Sequence, residues 1–177
     1  MKIIIVGAGK VGYSVAKILS EEGHDITVID RDPETITHLS NELDVICVEG
    51  SATNHETLLG AGAAEADLLM AATQQDEVNM VCGITARKLG TKHVIARIRD
   101  TEYLRQTEFL REVLGLSITI NPEYECAKEI ARILRFPSAA RVDTFSKGSV
   151  EIVEHRVREH GKLDGMQLKD LSSVCGA

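Results

Sequence analysis

Short apolar, β-branched runs recur through most of this chain and alternate with segments of helical periodicity. Reading the runs as strands predicts Lys2–Val6, Asp25–Asp30, Val45–Val48, Asp67–Ala72, Val94–Ile98 and Ile118–Ile120. The intervening patterns predict helices over Val11–Glu22, from Pro33 onward, over Val78–Leu89, over Glu102–Leu114 and over Glu123–Leu134. Pro33 suits a first helical turn, and Gly90 and Gly115 stand where helices stop. Strands that are apolar throughout, instead of at alternate positions, belong to a parallel sheet covered on both faces. With right-handed crossovers, the expected architecture is an α/β, Rossmann-like doubly wound sheet of about six strands.

The pattern changes near Phe136-Pro137. Residues 1–136 read as one nucleotide-binding domain. Residues 137–177 read as the opening of a partial α+β C-terminal lobe that stops early. In that lobe, Arg141–Ser146 and Val150–His155 predict two strands around Lys147-Gly148-Ser149, and Gly165–Leu171 predicts a short helix.

Composition narrows the class. The chain has 177 residues, 44% hydrophobic and 27% charged, as in ordinary globular domains. A formal net charge of −7 argues against a nucleic-acid partner. No run approaches the roughly 20 apolar residues of a membrane-spanning helix. Ile3–Val6 is too short for a secretory signal. The expected location is the cytoplasm. Cys47, Cys82, Cys126 and Cys175 form no Cys-x-x-Cys pair, so neither a disulfide framework nor a zinc site is expected. Cys47 and Cys82 lie in apolar runs and read as small core residues. The histidines are scattered, and none is assigned to a metal.

The chemistry concentrates at Gly7-Ala8-Gly9-Lys10-Val11-Gly12, between the first predicted strand and the first predicted helix. In such a loop Gly7 permits the tight turn, Gly9 lets the backbone approach a pyrophosphate, and Gly12 lets helix and strand pack closely. The helix start adds unpaired amides and a partial positive charge. Asp30, at the end of the second strand, is placed to accept hydrogen bonds from two ribose hydroxyls and to repel a 2′-phosphate, favouring NAD or NADH over NADP. Arg31 beside it is expected to stack on adenine or lie in solvent, the alternative being that it accommodates a 2′-phosphate. Lys10 is placed to steady a phosphate, which leaves ATP or ADP open as ligands.

Ligands in such sheets bind outside the carboxyl ends of the strands. Those ends supply Ser51 and Ala52 near adenine, and Thr73 and Gln74 near the second ribose. They also supply Arg97, to meet a phosphate or to pair with Asp76 or Glu77. A hydride-transfer enzyme needs a positioned acid or base and a substrate pocket. His24 falls in a helix–strand turn away from the expected cleft, and the tail is too small for a substrate domain. No enzymatic role is expected, the alternative being a fragment of an NAD-dependent oxidoreductase.

Several stretches together resemble a known family. They are Met1–Gly12, Val48-Glu49-Gly50-Ser51-Ala52-Thr53, Asp76-Glu77-Val78-Asn79-Met80, Ala96-Arg97-Ile98-Arg99-Asp100 and Ile120-Asn121-Pro122-Glu123. In the tail, Gly148–Ile152 and Leu163-Asp164-Gly165-Met166 add to the likeness. The chain is similar to RCK (KTN, TrkA-N) domains, in particular those of the TrkA-type NAD-binding regulatory subunits of Trk potassium uptake systems. The resemblance implies a regulatory subunit that binds NAD(H) and acts on a potassium-translocating membrane protein. It implies a homodimer, at times assembled into a ring, held at the inner face of the cell membrane by that partner. It further implies dimer contacts on helices such as Val78–Leu89 and Glu102–Leu114, and a crossing role for Glu123–Leu134.

Overall fold

The computed structural model describes residues 1–136, 139–145 and 150–170. The chain divides into two compact units, Met1–Glu123 and Tyr124–Ala177. The first holds a six-stranded sheet built from β1 (Lys2–Val6), β2 (Asp25–Asp30), β3 (Ile46–Glu49), β4 (Leu68–Ala71), β5 (His93–Arg97) and β6 (Ile118–Ile120). The strand order is β3-β2-β1-β4-β5-β6, and every pairing is parallel. The chain starts in the middle, builds outward through β2 and β3, then returns to place β4 on the other side of β1. That reversal makes a doubly wound sheet and opens a crevice at the carboxyl ends of β1 and β4.

The helices are α1 (Lys10–Glu21), α2 (Pro33–Glu42), α3 (His55–Gly60), α4 (Asp76–Leu89), α5 (Thr101–Arg105), α6 (Thr107–Leu114) and α7 (Pro122–Arg135). Successive residues of β1 serve opposite faces. Ile3 and Ile5 pack with Val28, Ala16 and Leu39 against α1 and α2. Ile4 and Val6 pack with Ile29, Leu69, Val94, Leu58, Cys82 and Ala86 against α3 and α4. Both faces are therefore buried, which is why the strands carry continuous apolar runs. Fully burying one such aliphatic side chain stabilises by roughly 1.5–3 kcal/mol.

Local chemistry fixes where helices begin. Asp32 accepts a hydrogen bond from Glu34 N at 3.2 Å, just ahead of Pro33 in the first turn of α2. Asn54 caps α3 through Glu56 N at 2.9 Å, and Asp100 caps α5 through Glu102 N at 2.7 Å. Gly90, with φ +123, and Gly115, in the left-handed region, end α4 and α6.

One element was not predicted and one expectation is corrected. After β3, Asn54 caps the six-residue α3, whose Leu58 is fully buried. The span Glu102–Leu114 is not one helix. Gln106, at φ −112 and ψ 17, breaks it into α5 and α6.

In the second unit, β7 (Ala139–Phe145) and β8 (Val150–His155) pair antiparallel, with Val142 opposite Val153 and Phe145 opposite Val150. Ser146 and Lys147-Gly148-Ser149 lie outside the described residues. A short 3-10 turn covers Leu168–Asp170, within the predicted helix Gly165–Leu171; Leu171 lies outside the described residues. Cys47, Cys82 and Cys126 are free thiols, respectively half-buried, buried and exposed; Cys175 lies outside the described residues. Among the described residues no helix is long and apolar enough to cross a membrane.

Candidate functional site

A cleft of about 950 Å³ runs along the carboxyl ends of the strands in the first unit. The loop after β1 forms its floor. Gly7, with φ +90, continues the ladder by donating its N–H to Ile29 O at 2.8 Å. A Cβ there would meet the Thr73 backbone at 3.0 Å, so Gly7 serves both the turn and close packing on the chain after β4. A Cβ on Gly9 would meet nothing within 4 Å, which leaves its backbone open to an approaching group. A Cβ on Gly12 would lie 1.8 Å from Gly7 O, so glycine alone lets α1 start this close to the loop. Ala8 is buried, Lys10 is exposed and Val11 lines the cleft.

Gly9 gives α1 no side-chain cap, and the first turn carries no acidic residue. The uncapped amides and the helix dipole leave that end suited to an anion. Beside the loop, Asp30 stands at the end of β2. Its Oδ2 accepts Ala8 N–H at 2.6 Å and its Oδ1 accepts Asp32 N–H at 3.0 Å. Each carboxylate oxygen keeps further acceptor capacity, so the two amides orient Asp30 without using it up. A carboxylate beside a helix start is what a phosphate-linked ribose needs.

Arg31 does not point to solvent alone. It donates to Ser51 Oγ at 2.8 Å, and Ser51 is hydrogen bonded to Thr53 Oγ1 at 2.8 Å. The ends of β2 and β3 are thereby joined beside Asp30. Ala52 is buried and lines the cleft, whereas Ala8, Gly12 and Ser51 are not among its lining residues. Gly50, with φ +155, donates its N–H to Asp30 O at 2.8 Å.

At the other end of the cleft stand Thr73, Gln74 and Arg97. The Arg97 side chain is 9% exposed. Here a second expectation fails. Arg97 pairs with neither Asp76 nor Glu77, but binds the Glu123 carboxylate through Nη2, and its Nη1 reaches Thr73 O at 3.4 Å. Nε finds no hydrogen-bond partner among the described residues. Asp76 instead accepts the backbone N–H groups of Arg99 and Asp100, both at 2.8 Å, and faces the Arg99 side chain. Burial pushes the Glu123 carboxyl up. A bond from its own backbone amide, the hydrogen bond and charge of Arg97 and the charge of Arg99 outweigh that, and hold it below the ordinary carboxylate range.

Sequence reasoning missed several residues that build this end: Asn79, Val78, Gln75, Arg99 and Glu123. Glu123 was visible only as the opening of a helix, because nothing in spacing links position 97 to position 123. Asn79 sat inside a helical pattern at an inward-facing position, where a buried polar residue was itself the available signal.

Among the described residues no histidine, cysteine or tyrosine lines the cleft. His24 sits at the opposite, amino-terminal edge of the sheet, in a hollow with Lys2 and Asp25. Two pairs do have the Tyr-x-x-x-Lys spacing of some dehydrogenases. Tyr13, with Lys17, donates its hydroxyl to Glu42 at 2.6 Å and does not line the cleft. Lys128 stands over the Tyr124 ring at 5.4 Å in the second unit. Among the described residues no cluster of His, Cys, Asp and Glu is suited to a metal ion.

Residues 3–122 match the family model of the TrkA-N domain. The chain belongs to the TrkA-N domain family. A Trk system potassium uptake protein TrkA homolog of Archaeoglobus fulgidus is 40% identical over 171 residues, covering 97% of this chain and 39% of that protein. The chain thus spans about two fifths of the length of that relative. Among solved structures, the TrkA-N domain of the inner membrane protein ybaL of Escherichia coli has a TM-score of 0.67 at 22% identity. The match covers 75% of this chain and 96% of that one. A GsuK channel bound to NAD has a TM-score of 0.59 at 24% identity, covering 81% of this chain and 24% of that one. These likenesses show the TrkA-N fold. None of the three is named for a chemical reaction.

Proposed function

We propose that this TrkA-N domain binds NAD or NADH along the cleft and reports its occupancy to a potassium-translocating membrane protein of the Trk type. The observation that carries the reading is Asp30, oriented by the Ala8 and Asp32 amides beside the uncapped start of α1, where a Cβ on Gly9 would meet nothing within 4 Å. Two ribose hydroxyls on the carboxylate and a pyrophosphate on the helix amides would use both features at once. The GsuK structure bound to NAD and the potassium-uptake name of the Archaeoglobus relative support it. Gly7, Ala8, Gly9, Lys10, Val11 and Gly12 take the phosphates, Asp30 and Arg31 the adenosine, Ser51 and Ala52 the adenine side. Thr73, Gln74 and Arg97 take the second half.

In this reading the domain carries out no chemistry. A ligand regulates only by binding one assembly geometry more tightly than another. A homodimer, or a ring of such dimers, supplies the two geometries, with the domain held at the cytoplasmic face by its membrane partner. Calorimetric titration with NAD, NADH, ATP and ADP tests the ligand. Tightest binding of NAD or NADH is expected, and equal or absent binding of all four defeats the reading. The exposed Lys10 in the phosphate loop favours ATP or ADP as a second reading, and the same titration decides between them.

A further inference from the structure

Asn79 closes the first turn of α4, and its side chain is completely buried. A primary amide has two acceptor and two donor positions, and here all four are filled. Oδ1 accepts Thr73 N–H at 2.9 Å and Thr73 Oγ1–H at 2.7 Å. Nδ2 donates to Thr73 O at 3.2 Å and to Arg97 O at 2.9 Å. The parallel ladder between β4 and β5 ends at Ala71 and Ala96. Just past that last pair, where the two strands would otherwise part, the Asn79 amide stands in for the missing rungs. None of its four bonds is to Asp30 or the glycine loop, which meets Thr73 through the packing of Gly7.

We propose that Asn79 is the positioning residue for the distal half of the nucleotide cleft, setting Thr73 and Arg97 where the second half of a dinucleotide meets them. The inference rests on the dinucleotide reading above. Thr73 is held at all three of its polar groups, so its carbonyl is fixed above the Arg97 guanidinium that reaches it through Nη1. Arg97 is fixed at its own carbonyl, and its buried side chain lines the cleft with an Nε that has no hydrogen-bond partner among the described residues. A fully satisfied buried amide has one geometry, whereas a partly satisfied one leaves costly orphans. The strand ends therefore keep their spacing before any ligand arrives.

The inference separates two ligands. AMP is the adenosine half of NAD and needs only Asp30 and the loop, whereas NAD also needs Thr73 and Arg97. Asn79→Asp keeps both acceptor bonds to Thr73, removes both donor bonds and sets a carboxylate against two carbonyl oxygens. Asn79→Ala removes all four. Calorimetry on the full chain measures the NAD-to-AMP affinity ratio. Partial unfolding weakens both apparent affinities by the same factor, so the ratio is unaffected by lost stability. The ratio is expected to fall about tenfold or more, the worth of one well-made hydrogen bond. A ratio equal to that of the unaltered protein overturns the positioning role.

Hydrogen exchange without ligand tests the same point. The Thr73 amide, bonded to Asn79 Oδ1, is expected to exchange slowly in the unaltered protein and faster by about tenfold or more in Asn79→Ala. The Gly7 amide, bonded to Ile29 O, is expected to keep its rate. Equal acceleration of both amides, or of neither, overturns the role. An unaltered protein that binds NAD no more tightly than AMP defeats the dinucleotide reading itself, and the role of Asn79 with it. A protein that discriminates, but does so unchanged in the variants, defeats the role of Asn79 alone.

Discussion

The carbonyl oxygen of Gly7 lies where a Cβ on Gly12 would come within 1.8 Å, so the phosphate loop and the first turn of α1 are locked by two glycines. The obstacle is backbone and cannot swing aside. Gly12→Ala should destabilise by about 1–3 kcal/mol as an overpacked site, lowering the thermal midpoint by several degrees in a melting experiment. An unchanged midpoint would show that the loop can yield. Gly9→Ala is the counterpart. Its φ is −65 and the space is open, so stability should be nearly unchanged while NAD affinity drops, because the new methyl occupies the approach path.

Asp30→Ala removes the ribose acceptor and also the acceptor for Ala8 N–H. NAD(H) affinity should weaken by roughly 1–3 kcal/mol, read by titration. Unchanged affinity would place the ribose elsewhere.

Lys10→Gln takes one positive charge from the loop. ATP and ADP, with their terminal phosphates, should lose more affinity than NAD, whose phosphates are both esterified. The size of that difference should shrink at high salt. Equal losses for all nucleotides would remove Lys10 from ligand selection.

Acid should destabilise the fold in a defined window. Glu123 is held below its ordinary value of 4.5 against the opposing effect of burial. Glu65 and Asp67 are lowered by hydrogen bonds from Lys2 and Lys92, and Asp32 by one from Thr35. Groups whose carboxyls are depressed in the fold contribute stability that is fully present above their unfolded values and lost as pH falls through the folded ones. The melting midpoint should thus be flat from neutrality to about pH 5 and decline below pH 4.5. A midpoint that rises in that range would contradict the ion pairs.

The thiols should separate by burial. Cys82 is completely buried and its pKa is pushed up to about 12, so it is a protonated, inaccessible thiol at neutral pH. Alkylation at pH 8 followed by peptide mapping should label exposed Cys126 quickly and Cys82 only on unfolding. Early labelling of Cys82 would mean that α4 leaves the sheet.

Much of this architecture could be read from the chain because its signals are local. Lys2–Val6 and Asp25–Asp30 were legible as strands since burial on both faces demands apolar residues at consecutive positions. Asp30 was legible because the loop and the second strand stand at a fixed remove along the chain. What escaped depends on encounters between distant segments, or on competition that no periodicity displays. Glu123 meets Arg97 only after β6 has been added beside β5, and three of the four bonds of Asn79 go to backbone groups that almost any residue would present. Gln106 interrupts an otherwise unbroken helical pattern by its backbone angles alone. The capping signal of Asn54 and Glu56 was present, but six residues are too few for an amphipathic stripe to declare itself.

The sheet ends on two brief strands, β3 with four residues and β6 with three. Both carry a bare isoleucine on the surface, Ile46 at 65% and Ile118 at 51% exposure. A stranger chain seeking to zip onto either border finds a handhold of only one or two backbone bonds beside a sticky side chain. Brevity is thus what guards the domain against fibril-like stacking, and lengthening either border by a few β-branched residues would turn a harmless margin into a template for aggregation.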